Sequence, residues 1–164
     1  MVRNAILLGL VFLFIPAVCF SGHLERKQAG SLGEFRFIQV NKKTGKTIGE
    51  WMPAKVPGDI ITDLVNAGAL KHPYYDFNAK DALWVNDSDW LYETEFVADA
   101  GENERVWIVF YGIDYKSQGI LNGKEVFNHT GMFSRIYVDA THYLKKGEKN
   151  NLQVNIFGLG NLPN

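Results

Sequence analysis

From Trp90 onward the side chains alternate with a period of two, and that pattern constrains the fold more than any other feature of the chain. Tyr92, Thr94 and Phe96 oppose Leu91, Glu93, Glu95 and Val97, as on the two faces of a strand. Asn122-Gly123 stands between Ile120-Leu121 and Glu125-Val126-Phe127. This pair accepts positive φ at both positions of a tight hairpin turn. Arg135 to Val138, and Leu152, Val154 and Ile156, read as two further strands. Arg105 to Tyr111 is apolar on both faces, so it reads as a central strand covered on both sides, with Trp107 packed. Asp139 to Gly147 reads as a short turn or helix before the last strand. Short strands at roughly 8–12-residue spacing, separated by turn signals, predict an all-β chain folded as a sandwich or jelly roll.

Upstream of Trp90 the pattern is mixed. Phe35 to Val40 is aromatic and β-branched but its alternation slips, which predicts a first strand with a bulge near Phe37-Ile38. Asn41 to Gly49 reads as a polar turn. One short helix is predicted near residues 59–67: Asp59 caps it, Ile61, Leu64 and Val65 form its apolar face, and Gly68 stops it. Pro73 forbids any continuation.

The 164 residues suit one domain, and 46% hydrophobic with 13% aromatic residues is enough for a core. A formal charge of −1 without a basic patch excludes a nucleic-acid partner. Residues 1–21 read as a signal peptide, with Arg3 before an apolar run from Ala5 to Ala17 and small residues at Cys19 and Ser21. That run is shorter than the about 20 residues of a membrane span, so cleavage leaves no membrane association. An uncleaved anchor and a lipoprotein lipidated at Cys19 are the weaker alternatives. The expected location is therefore exported: periplasmic, extracellular or, in a eukaryote, lysosomal. Residues 22–32 read as a linker and 33–164 as the domain. Cys19 is the only cysteine, so the mature domain has no disulfide, no thiol nucleophile and no thiolate metal site.

Certain words recur in a fixed order: Val56-Pro57-Gly58, Asp63-Leu64, Pro73 to Asn78, Trp90-Leu91-Tyr92, Tyr111 to Asp114, Leu121-Asn122-Gly123, Gly131-Met132-Phe133, Val138 to Thr141 and Asn151 to Val154. As an ordered set they resemble the N-terminal sugar-binding domain of family 2 glycoside hydrolases, and most closely its β-mannosidase branch. The resemblance implies a galactose-binding-like jelly roll, whose last strands would lie beyond Asn164. It implies a parent enzyme that removes terminal β-mannosyl residues with retention. The two catalytic glutamates, about 5–5.5 Å apart, would sit on a (β/α)8 barrel outside this segment. No catalytic residue is then expected here. The partners implied are β-mannoside oligosaccharides and the barrel itself, with no cofactor. A free-standing carbohydrate-binding module, or a β-galactosidase- or β-glucuronidase-like parent, are the alternatives.

Two residues stand out as substrate-binding candidates. By resemblance, the loop carrying Asn78 reaches into the barrel's active site, where an amide both donates to and accepts from sugar hydroxyls. Trp84, read as a loop residue, offers an indole platform; the bland alternative for each tryptophan of a sandwich is packing. Glu93 with Glu95, and Asp87 with Asp89, read as solvated carboxylates rather than a hydrolytic pair. His23, His72, His129 and His142 have no metal-ligand spacing, so no metal is expected. Asp114 reads as a turn or strand-end residue. Asn86-Asp87-Ser88 and Asn128-His129-Thr130 fit the N-glycosylation pattern, which carries meaning in a eukaryotic exported protein.

Overall fold

The structure is a computed structural model, and it describes residues 32–98, 101 and 104–158, all within one unit, Ser31–Asn164. The predicted leader, with Cys19, and all of the predicted linker except Leu32 lie outside the described residues. Leu32 itself packs against the core.

Among the described residues eight strands run in the order β1 (Phe35–Val40), β2 (Thr47–Ala54), β3 (Asp89–Val97), β4 (Trp107–Phe110), β5 (Lys116–Leu121), β6 (Lys124–Thr130), β7 (Ile136–Asp139) and β8 (Lys149–Phe157). Six form one antiparallel sheet, β2-β1-β3-β8-β5-β6, and β4 pairs with β7 in a second. The expected all-β sandwich is what forms.

The core follows the alternation. Phe37 on β1 pairs with Tyr92 on β3, and Tyr92 with Val154 on β8. All three point inward, and so do Trp90, Leu152 and Leu121. Ile108, Ile136 and Val138 close the cluster from the second sheet. Phe37 stacks between the rings of Tyr92 and Trp90, with centroids 5.4 and 5.6 Å away. Gly119 leaves room for the cross-strand ring of Phe127, which a Cβ at that position would meet at 2.0 Å. Phe127 in turn packs on Phe110, centroid to centroid 5.0 Å.

Helix α1 (Ile60–Asn66) is capped as predicted: Asp59 accepts from the Thr62 amide at 2.9 Å, and Gly68 follows with φ +72°. Two further short helices, absent from the sequence reading, are α2 (Asn78–Asp81) and α3 (Leu83–Asp87). They complete the excursion from β2 to β3. Leu64 and Val85 from this excursion join Phe37, Trp90 and Tyr92 in the core.

Four expectations are corrected. The segment 41–49 is not all turn: β2 begins at Thr47, and Asn41 closes the turn by accepting from the amides of Lys43 and Thr44. The bulge adjoins Phe37–Gln39, but the extra residues are on β2, which advances from Met52 to Ile48 over that interval. Residues 105–111 do not form a central strand. β4 holds only Trp107–Phe110 and, among the described residues, pairs with β7 alone, so Trp107 is 49% exposed rather than packed. Finally, Glu93 is buried at 6% exposure because Arg36 and Gln153 cover its carboxylate, while Glu95 is exposed as expected.

Candidate functional site

The excursion between β2 and β3 starts from a close backbone approach. A Cβ on Gly58 would stand 2.2 Å from the Lys55 carbonyl oxygen, so glycine is required in the Val-Pro-Gly word. The Lys55 amide donates to Asp63 Oδ1 at 3.1 Å, which ties α1 to the end of β2. Tyr92 Oη approaches the other oxygen of Asp63 at 3.5 Å. Burial pushes the Asp63 carboxyl above its ordinary pKa, against the lowering effect of these bonds. Burial, with the Asp63 charge beside it, likewise raises the Tyr92 hydroxyl, so that it stays a donor.

Beyond α1 the chain turns at His72-Pro73 and exposes Tyr74, Tyr75 and Phe77. The His72 ring holds this turn: its centroid lies 5.3 Å from Tyr74 and 5.2 Å from Tyr75. Asn78 is half-buried, and its amide donates to the His72 carbonyl at 3.1 Å. This bond sets the loop and consumes one amide proton. Trp84 is not in a loop: it lies on α3, is 40% exposed, and its ring centroid is 5.8 Å from that of Trp90. The Trp90 indole donates to the Val85 carbonyl at 3.1 Å, which fixes α3 to β3.

A groove of about 420 Å³ runs between α1 and this segment. Thr62 and Asn66 line one side, and His72, Tyr74, Leu83 and Asn86 the other. Asn78 and Trp84 are not among its lining residues. The two sequence candidates therefore share an excursion but not a cleft. Asp114 is exposed in the irregular segment before β5.

The sequence reading missed a second aromatic surface. On the outer side of the two-stranded sheet Trp107, Tyr111 and Tyr137 are exposed, and the Arg135 guanidinium sits 5.1 Å from the Tyr111 ring centroid. Alternation held the signal: Trp107, Val109 and Tyr111 share a face opposite Ile108 and Phe110. The outer face of the large sheet is polar instead. Arg36 and Gln153 both donate to Glu93, and Arg36 also lies 4.5 Å over the Trp51 ring. Among the described residues no three His, Cys, Asp or Glu side chains converge as a metal site.

The fold is thus an antiparallel β-sandwich domain with a helical, aromatic excursion at its β2–β3 connection. The family described as "Glycosyl hydrolase 2 galactose-binding domain-like" matches residues 35–158, and the chain belongs to it. Over 136 residues it is 30% identical to the beta-mannosidase of Rattus norvegicus, covering 81% of this chain and 15% of that protein. The beta-mannosidase of Capra hircus is 36% identical over 96 residues, 57% of this chain and 11% of the relative. Among solved structures, the beta-D-mannosidase of Dictyoglomus thermophilum superposes with a TM-score of 0.66 at 30% identity, covering 77% of this chain and 15% of that one. A Ruminococcus gnavus beta-glucuronidase shares the fold, with a TM-score of 0.57 at 22% identity over 77% of this chain and 20% of its own. The chain thus spans about one seventh or less of the mannosidases it resembles.

Proposed function

We propose that this chain is the substrate-shaping N-terminal domain of an exported β-mannosidase-like hydrolase, whose barrel carries out retaining hydrolysis of terminal β-mannosyl residues. The observation that carries the reading is the 30% identity to a mannosidase over 136 residues, most of the sandwich. Supporting it is the placement of half-buried Asn78 and the exposed Tyr74, Tyr75 and Phe77 on one loop, tied by the Asn78 bond to the His72 carbonyl. In the parent, Asn78 Oδ1 and its second amide proton address sugar hydroxyls, and the excursion forms one wall of the pocket.

The test is made on the native polypeptide, isolated with an antibody to this domain. A product several times heavier than 18.5 kDa that hydrolyses aryl β-mannosides in preference to β-glucuronides and β-galactosides is expected. In that polypeptide Asn78→Ala lowers kcat/KM about tenfold, the equivalent of one hydrogen bond of about 1.4 kcal/mol. A native product no heavier than the chain itself, or unchanged kinetics in the variant, overturns the reading or the role of Asn78 respectively.

The exposed Trp107, Tyr111 and Tyr137 face favours a second reading, a non-catalytic module that binds sugar on its own. Saturable binding of manno-oligosaccharides by residues 22–164, lost in Trp107→Ala, distinguishes it.

A further inference from the structure

Asn128-His129-Thr130 lies on β6, the last strand in the order of the large sheet. Phe127 pairs with Gly119 and packs inward against Phe110. Its neighbour Asn128 therefore points outward, and so does Thr130 two residues on. Both are exposed. The strand thus holds the tripeptide extended, with amide and hydroxyl side by side on one solvent face. Asn128 ends a hydrogen-bonded row: its amide donates to Glu125 Oε1, Gln118 donates to Glu125 Oε2 at 2.7 Å, and Asn155 donates to Gln118 at 3.3 Å. The other tripeptide is placed differently. Asn86 lies on α3, and the Ser88 hydroxyl is buried, donating to the Trp84 carbonyl at 2.9 Å and accepting from Gln39 at 3.0 Å.

We propose that Asn128 is an acceptor for an N-linked glycan, which rests on the reading of residues 1–21 as an export signal. The donor class is a lipid-pyrophosphate-linked oligosaccharide presented by an oligosaccharyltransferase. The bond from the sugar's anomeric carbon to the pyrophosphate oxygen breaks, and the lipid pyrophosphate leaves with that electron pair. The anomeric carbon bonds to Asn128 Nδ2, which gives up one proton to the transferase base. The glycan then projects from the strand that ends the large sheet among the described residues, and bulk there blocks pairing with a second sheet.

The test is expression of the whole 164-residue chain in a eukaryotic secretory host, with its own leader and, in parallel, with a proven secretory leader in place of residues 1–21. The expected result is a mass increment removed by peptide N-glycosidase, with Asn128 recovered as Asp in peptide mapping. Asn128→Gln and Thr130→Ala each abolish the increment, and Asn86→Gln leaves it. Because Thr130→Ala retains Asn128, its loss of the increment separates acceptor recognition from misfolding. Secreted protein from the proven leader with unmodified Asn128 overturns the proposal, as does an increment that depends on Asn86 alone. A chain glycosylated at Asn128 with the proven leader but retained in the cytosol with its own upholds the acceptor and overturns the export reading.

Discussion

Two buried carboxylates respond to pH with opposite signs. The Asp63 carboxyl is pushed up by burial. Its protonated form is therefore favoured by folding; the stability it adds is full below the unfolded value and is lost as pH rises through the raised one. Burial also works to raise Glu93, but the hydrogen bonds from Gln153 and Arg36 win and hold it below the usual range. Its contribution is present above the unfolded value and is lost as pH falls through the lowered one. Urea unfolding between about pH 3 and pH 7 will show Asp63→Asn gaining on the parent chain as pH rises, and Glu93→Gln losing on it. Identical pH slopes would contradict the assignment. Asn150 is wholly buried and saturated: it donates to the Lys145 and Glu148 carbonyls and accepts from the Lys145 amide and Asn122. Asn150→Ala strands those groups and should cost about 1–3 kcal/mol by chemical denaturation. Ser117 Oγ is buried with no hydrogen-bond partner among the described residues. Ser117→Ala is therefore expected to leave stability unchanged or to raise it, read as Tm.

At the scale of elements, the β5–β6 hairpin is set by residues in contact across it. Asn122 takes φ +51° and Gly123 φ +80°, and the Asn122 amide also donates to the Tyr143 carbonyl at 2.8 Å. Gly119→Ala drives a Cβ into the Phe127 ring, with an expected loss of about 1–3 kcal/mol. A melting temperature equal to the parent's would show that the ring moves aside at no cost. The hairpin was legible in the sequence because its turn chemistry is local. So was α1, whose cap and stop are adjacent to its apolar face. What the words do to one another was not legible. Gly112 makes room for the Met132 carbonyl, 2.8 Å from where its Cβ would stand. Lys55 bonds Asp63, and Asn122 bonds both Asn150 and Asn151. Each joins residues that are not neighbours in sequence, and one-dimensional pattern carries no such pairing. The two-stranded setting of β4 is hidden for a related reason: an apolar run gives residue character but not the number of neighbouring strands. The helix that carries Trp84 is not legible in the sequence, because two short helices without side-chain caps leave little periodic trace.

For the whole molecule, the inward-facing residues were readable and the outward ones were not. Alternation identifies the face of Trp90, Tyr92 and Thr94, but it cannot tell a solvated carboxylate from Glu93 beneath its Arg36 and Gln153 cover. Of the two substrate candidates, Asn78 is held by a bond within its own loop and Trp84 packs beside Trp90 of the core. Residues 22–164 alone are expected to give no turnover of an aryl β-mannoside, measured against a heat-killed control; turnover above that control would place catalytic groups within the chain. The strand order has one more consequence. Among the described residues β8 is the last strand along the chain, yet it lies between β3 and β5. On the ribosome the large sheet therefore exists as two half-sheets, β2-β1-β3 and β5-β6, until residues 149–157 clear the exit tunnel. A nascent chain stalled before that point presents two extra bare strand edges, and translation speed through residues 149–157 becomes part of how safely the domain folds.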